Sequence, residues 1–155
     1  TILVDASGSM FTDGQKINGR SVRIHTAVHT TIAFLDVFKK AGVASSVILF
    51  GCRPALIKKF DEKTNAVIQK LISIDDMGGT DDCIAVRYAH ELLNKRTEKR
   101  KICFVITDGY GDMDATKLQC IAGQKLGITT IGVGIDVDQM DYTYPPKLKK
   151  ILKIP

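Results

Sequence analysis

The 155-residue chain has no CxxC pair and no Asn-x-Ser/Thr sequon. Its four cysteines, Cys52, Cys83, Cys103 and Cys120, are widely spaced, which leaves nothing from which to build a thiolate zinc site. Cys103 falls in an apolar, strand-like run and Cys120 in a helical pattern, so buried, reduced thiols in a cytoplasmic protein are expected. No apolar run approaches the roughly 20 residues that span a bilayer, and no secretory leader is visible. Internal repeats and low-complexity linkers are also missing. Gly78-Gly79-Thr80 lacks the spacing and the lysine of a GxxxxGK[ST] phosphate loop.

What remains has the composition of an ordinary globular domain, 45% hydrophobic and 25% charged. A chain of this length fits a single domain, residues 1–155, that buries about two-thirds of its unfolded surface. Because the first strand begins at the first residue, a domain excised from a longer chain is expected. The net charge of +5 is concentrated in Lys95-Arg96, Lys99-Arg100-Lys101 and Lys147, Lys149, Lys150 and Lys153. No aromatic residues interleave with these cations, so they read as a solvated helix end and tail rather than a nucleic-acid surface.

Strands and helices alternate. Ile2–Val4 reads as a first strand, and apolar residues spaced along Val22–Lys40 predict an amphipathic helix closed by Gly42. Ala44–Phe50 and Ala55–Phe60 read as strands joined by a hairpin loop at 51–54, the second of them an antiparallel edge. Asn65–Ile72 reads as a helix, and Asp81-Asp82 caps another through about Asn94. Lys101–Thr107 and Ile128–Ile135 are continuous β-rich runs, expected of strands buried on both faces. Thr116–Leu126 is helical and ends at Gly127. The loop carrying Tyr142, Tyr144, Pro145 and Pro146 leads to a last helix over Lys147–Leu152. The fold class is therefore α/β, a doubly wound and mostly parallel sheet with one antiparallel edge strand and helices on both faces.

In such a sheet, ligands collect where strand-to-helix loops meet at the carboxyl edge. Three loops there are rich in oxygen donors: Asp5-Ala6-Ser7-Gly8-Ser9, Gly78-Gly79-Thr80-Asp81, and Thr107-Asp108-Gly109-Tyr110-Gly111-Asp112. A carboxylate and two hydroxyls at alternate positions make a poor core and a good perch for a small hard cation. Hydroxyls and carboxylates without thiolate or imidazole suit Mg2+ or Mn2+ and argue against zinc or copper.

Asp5-x-Ser7-x-Ser9, the later Gly79-Thr80-Asp81 and the strand-terminal Thr107-Asp108-Gly109 together resemble the metal-ion-dependent adhesion site (MIDAS) of von Willebrand factor A domains. The resemblance covers essentially the whole chain. It implies that Ser7 and Ser9 bind the metal directly and that Thr80 does so directly or through water. Asp5 and Asp108 would hold coordinating waters, while Asp81 would only cap or support. It also implies a final ligand from elsewhere, a carboxylate of a partner protein, and a non-enzymatic interaction module. Within the family, Met10 and the Met77–Asp81 loop are similar to intracellular members, nearest to the CobT-like domains of cobaltochelatase subunits. That likeness implies an AAA+ ATPase as partner.

Other readings compete. His25 and His29 lie four apart, but Thr26 stands where a zinc protease needs glutamate, so packed or exposed helix histidines are expected. A serine nucleophile at Ser7 or Ser9 needs a positioned base, and no histidine falls in these loops. A metal-dependent phosphate-ester hydrolase with an aspartate nucleophile wants a second carboxylate where Ser7 stands. Extracellular adhesion sits poorly with unpaired cysteines and no sequon. The glycines of Ile131-Gly132-Val133-Gly134 read as sites of close helix approach, and Tyr110, Tyr142 and Tyr144 as ordinary loop packing or a partner-contact rim.

Overall fold

A computed structural model describes residues 1–12, 14–109, 111–137, 140 and 142–144. Strand β1 (Ile2–Asp5) is buried along its length and lies at the centre of a five-stranded sheet. After it come a short hairpin, β2 (Lys16–Ile17) and β3 (Arg20–Ser21), and helix α1 (Val22–Lys40). Next are strands β4 (Val47–Phe50) and β5 (Ala55–Lys58), then helices α2 (Asn65–Ile72) and α3 (Asp82–Asn94). Strand β6 (Lys101–Thr107), helix α4 (Met113–Lys125) and strand β7 (Ile128–Gly134) complete the described elements. The sheet order is β5-β4-β1-β6-β7. β4 and β6 flank β1 in parallel, β7 is parallel to β6, and β5 alone is antiparallel, at the edge. This is the doubly wound α/β architecture expected from the alternating pattern.

Successive strand residues point to opposite faces, so a strand covered on both sides must be apolar throughout. Ile2 and Val4 pack with Ile24, Ala27 and Leu35 of α1 and Val67 and Leu71 of α2. Leu3, between them, packs on the other face with Ala85, Val86 and Ala89 of α3 and Cys120 of α4. Two cores thus sandwich one sheet.

Several element limits differ from the sequence expectation. Helix α4 begins at Met113 rather than Thr116, because the Asp112 carboxylate accepts the Ala115 N–H at 3.0 Å and starts the helix earlier. Strand β4 begins at Val47 rather than Ala44, strand β5 ends at Lys58 rather than Phe60, and β7 ends at Gly134 rather than Ile135. The β2–β3 hairpin was not anticipated; two-residue strands carry too little periodicity to read. Cys103 and Cys120 are buried as expected, whereas Cys52 is exposed and Cys83 half-buried; all four are free. Gly132 and Gly134 do allow close approach, though not by a helix. A Cβ on Gly132 would come within 2.5 Å of the Tyr144 ring, and one on Gly134 within 2.6 Å of Val137. Tyr144 is therefore core, while Tyr142 is exposed and donates to Asp114 at 2.6 Å. The expected helix over Lys147–Leu152, Pro145, Pro146 and Tyr110 lie outside the described residues. No helix among the described residues is long and apolar enough to cross a membrane.

His90 of α3 is wedged against α4 and β7. Its Nε2 is 2.9 Å from the Thr130 hydroxyl, and Gly123 of α4 is the only residue type that leaves room for the ring. Burial pushes the imidazole down to about 4 from 6.5, so the unfolded chain takes up this proton before the folded chain does. The contribution of neutral His90 is complete above about pH 6.5 and is lost as pH falls toward about 4, by up to about 1.4 kcal/mol per pH unit. Urea unfolding of wild type and His90→Gln at pH 7 and pH 5 tests this. The stability difference between the two proteins should shift toward the variant at the lower pH.

Candidate functional site

The strand order turns back at β1: the chain leaves β1 for β4 on one side and later enters β6 on the other. Loops leaving the carboxyl ends of β1 and β6 therefore diverge and open a crevice. Asp5, the last residue of β1, lies at its floor, fully buried. One carboxylate oxygen accepts the Ser7 N–H at 2.9 Å, and the other accepts the Thr107 hydroxyl at 2.6 Å. The Thr107 hydroxyl in turn accepts the Gly109 N–H at 3.0 Å. This bonding holds the β1 loop and the β6 loop to one another through a single buried carboxylate.

After Asp5 the chain bends into a 3-10 turn over Gly8–Phe11, with Ser7 at its start. The Ser7 and Ser9 hydroxyl oxygens lie 3.2 Å apart; Ser7 is buried and Ser9 half-buried. Asp108, next after β6, is buried, and Arg23 of α1 places Nη1 3.3 Å from one of its oxygens. Gly109 follows with φ +82°, which turns the chain away sharply enough to keep Asp108 at the crevice.

The third loop is stitched in by backbone bonds. The Gly8 N–H donates to the Gly78 carbonyl at 2.9 Å, and the Met77 N–H donates to the Ala6 carbonyl at 2.8 Å. On its other side, Cys52 N–H reaches Met77 O at 3.0 Å and Asp81 N–H reaches Gly51 O at 3.0 Å. Gly51 must be glycine, since a Cβ there would sit 2.6 Å from the Met77 carbonyl. Thr80 is thus carried to the crevice edge by its neighbours, half-buried, and its own hydroxyl takes no part in those bonds.

Of the five residues expected to serve a metal, named contacts tie Asp5 to Ser7 and Ser7 to Ser9. Burial raises the Asp5 pKa above the ordinary carboxylate range, opposed by its bonds from Ser7 and Thr107 and reinforced by the Asp108 charge. Asp81 caps α3, accepting the Ile84 N–H at 3.1 Å, as the sequence suggested. Asp82 does not share that role. It is buried in the first turn of α3, pushed up to about 6 by burial with help from Asp5, Asp81 and Asp112, and one of its oxygens has no partner among the described residues. A side chain at Gly111 would overlap that carboxylate, so the β6 loop closes directly on it.

The electrostatic result is a crevice that concentrates buried negative charge. Among the described residues, no three His, Cys, Asp or Glu side chains converge as a metal-binding group. What converges is a mixed set of serine hydroxyls and carboxylates. That donor chemistry fits a hard divalent cation of the Mg2+ or Mn2+ class. His90, the base a serine nucleophile would require, is occupied by Thr130 in the core.

Three residues escaped the sequence reading: Thr107 as the donor to Asp5, Asp82 as a buried carboxylate, and Arg23. Arg23 left no local signal, since its carboxylate partners lie 85 and 113 residues away. Thr107→Val leaves one buried Asp5 oxygen without its donor and should lower stability by about 1–3 kcal/mol. Thr107→Ser, which keeps the hydroxyl, should lose much less; urea midpoints of the two variants check this.

A family model described as the von Willebrand factor type A domain matches residues 1–110. No curated protein sequence matches the chain. Among solved structures, an aerotolerance-related membrane protein from Bacteroides fragilis aligns at 19% identity and a TM-score of 0.70, over 86% of this chain and 65% of that one. The pilus adhesin SpaC from Lactobacillus rhamnosus GG aligns at 18% identity and a TM-score of 0.69, over 92% of this chain and 25% of that one. Proximal thread matrix protein 1 from the mussel byssus, with a zinc-occupied MIDAS motif, aligns at 18% identity and a TM-score of 0.65, over 86% of this chain and 34% of that one. The chain thus spans just under two-thirds of the first of these proteins and much less of the other two. At such identities the likeness is one of fold. Taken with the doubly wound sheet, the match over residues 1–110 means that the chain belongs to the von Willebrand factor type A domain family.

Proposed function

We propose that this domain is a protein-interaction module whose contact with its partner depends on a divalent cation, Mg2+ or Mn2+, held at the carboxyl edge of the sheet. The observation that carries the reading is the convergence of Asp5, Ser7, Ser9 and Asp108 on one crevice, with the Gly78–Asp81 loop stitched to it through Gly8. Ser7 and Ser9 would offer hydroxyl oxygens directly. Thr80 would act directly or through water, and Asp5 and Asp108 through waters they accept. A cation held mainly by neutral hydroxyls keeps an electrophilic position for an Asp or Glu carboxylate of the partner.

The fold neighbours support this reading in kind: one is a pilus adhesin, and another is a protein with zinc in its MIDAS motif. The engagement of His90 with Thr130 and the serine at position 7 speak against hydrolytic chemistry. The loop resemblance to cobaltochelatase subunits extends the proposal to a setting, an AAA+ ATPase-associated complex in the cytoplasm.

Calorimetric titration with Mg2+ and Mn2+ tests the site. Wild type should bind one equivalent, and Ser9→Ala and Asp5→Ala should each bind at least tenfold more weakly. Ser9 is half-buried, so its variant separates loss of a ligand from loss of folding. Equal binding by all three proteins would overturn the metal assignment. For the partner, retention of a cellular ATPase subunit in Mg2+ and its release by EDTA is the expected result.

A further inference from the structure

Among the described residues, three parts of the molecule hold Arg23. Its Nη1 lies 3.3 Å from an Asp108 carboxylate oxygen and 3.4 Å from the Ser9 carbonyl. Its Nε and Nη2 both donate to one oxygen of Asp136, just beyond β7, at 3.2 and 2.8 Å. The side chain is only 18% exposed, and that of Asp108 is fully buried. A guanidinium fixed in this way is a permanent positive charge on the carboxylate that the cation site shares.

We propose that Arg23 is an internal competitor of the divalent cation: it neutralises Asp108 when no metal is bound and thereby sets how tightly metal binds. The inference rests on the metal reading above and adds to it a residue outside the ligand set. A carboxylate buried as Asp108 is needs charge or donors in place of its lost hydration, and Arg23 is a cation the fold supplies to it at 3.3 Å. When a divalent ion enters, the same guanidinium becomes a nearby like charge and weakens binding.

Asp136 gives the arrangement its stiffness. By taking both Nε and Nη2, it leaves Nη1 directed at Asp108 rather than free to swing into solvent. Occupancy of the crevice is thereby linked to the segment leaving β7, two strands away from β1.

The test compares wild type, Arg23→Gln and Arg23→Lys. Removing the charge should tighten Mn2+ binding, measured by calorimetry, on the order of tenfold, whereas Arg23→Lys should stay near wild type. In EDTA, Arg23→Gln should melt several degrees below wild type, and saturating Mn2+ should close that gap. A purely structural role would predict weaker metal binding and a gap that metal does not close. If wild type and Arg23→Gln bind Mn2+ equally well, the metal reading stands and the role of Arg23 falls. If neither binds Mn2+, the metal reading falls and the competitor role with it.

Discussion

The site depends on one buried carboxylate. Asp5 ends the central strand with no exposure to solvent and satisfies its two oxygens with donors from opposite directions, Ser7 N–H and the Thr107 hydroxyl. An ion taken out of water costs several kcal/mol unless hydrogen bonds replace hydration, so those two donors have little freedom to move. The loop after β1 is thereby shaped into the turn that sets the Ser7 and Ser9 hydroxyls 3.2 Å apart. The loop after β6 is pinned at Thr107, which leaves Asp108 facing the same crevice.

The remainder of the fold makes this placement possible. β1 runs between β4 and β6 with both faces covered, so its end is a rigid point in the molecule. The two apolar cores on either side of the sheet fix α1 and α3, and these helices bring Arg23 and the Thr80 loop toward the crevice from opposite faces. Charge balance follows from that geometry. The crevice gathers Asp5 and Asp108, with Asp82 near enough to feel the Asp5 charge, and among the described residues Arg23, anchored on Asp136, sets a guanidinium against Asp108.

Much of the fold was legible in the sequence because its strongest patterns are local. The helix over Val22–Lys40, that over Asn65–Ile72 and the strand over Lys101–Thr107 have the expected limits. The two helices rest on amphipathic spacing and the strand on a continuous apolar run. The β2–β3 hairpin is too short for any periodicity to register, and α4 starts early because a single carboxylate caps it at Asp112. Cys103 and Cys120 are buried, as their apolar and helical surroundings suggested, while Cys52 and Cys83, on loop and helix positions without that pattern, are more open.

The sequence by itself determined where the oxygen-bearing residues stand: DxSxS after a strand, a threonine in a glycine loop, and an aspartate at a strand end. Such motifs are readable because the residue types and their local spacing carry the chemistry. Only the tertiary structure decided which groups face the donors from a distance. Thr107 reaches Asp5 across 102 residues, and Arg23 reaches Asp136 across 113 and Asp108 across 85. Asp82, one residue beyond a cap, is turned inward by the first turn of α3 and closed over by Gly111. Pairings of that kind arise from sheet order and helix placement, for which no local pattern in the chain is a substitute.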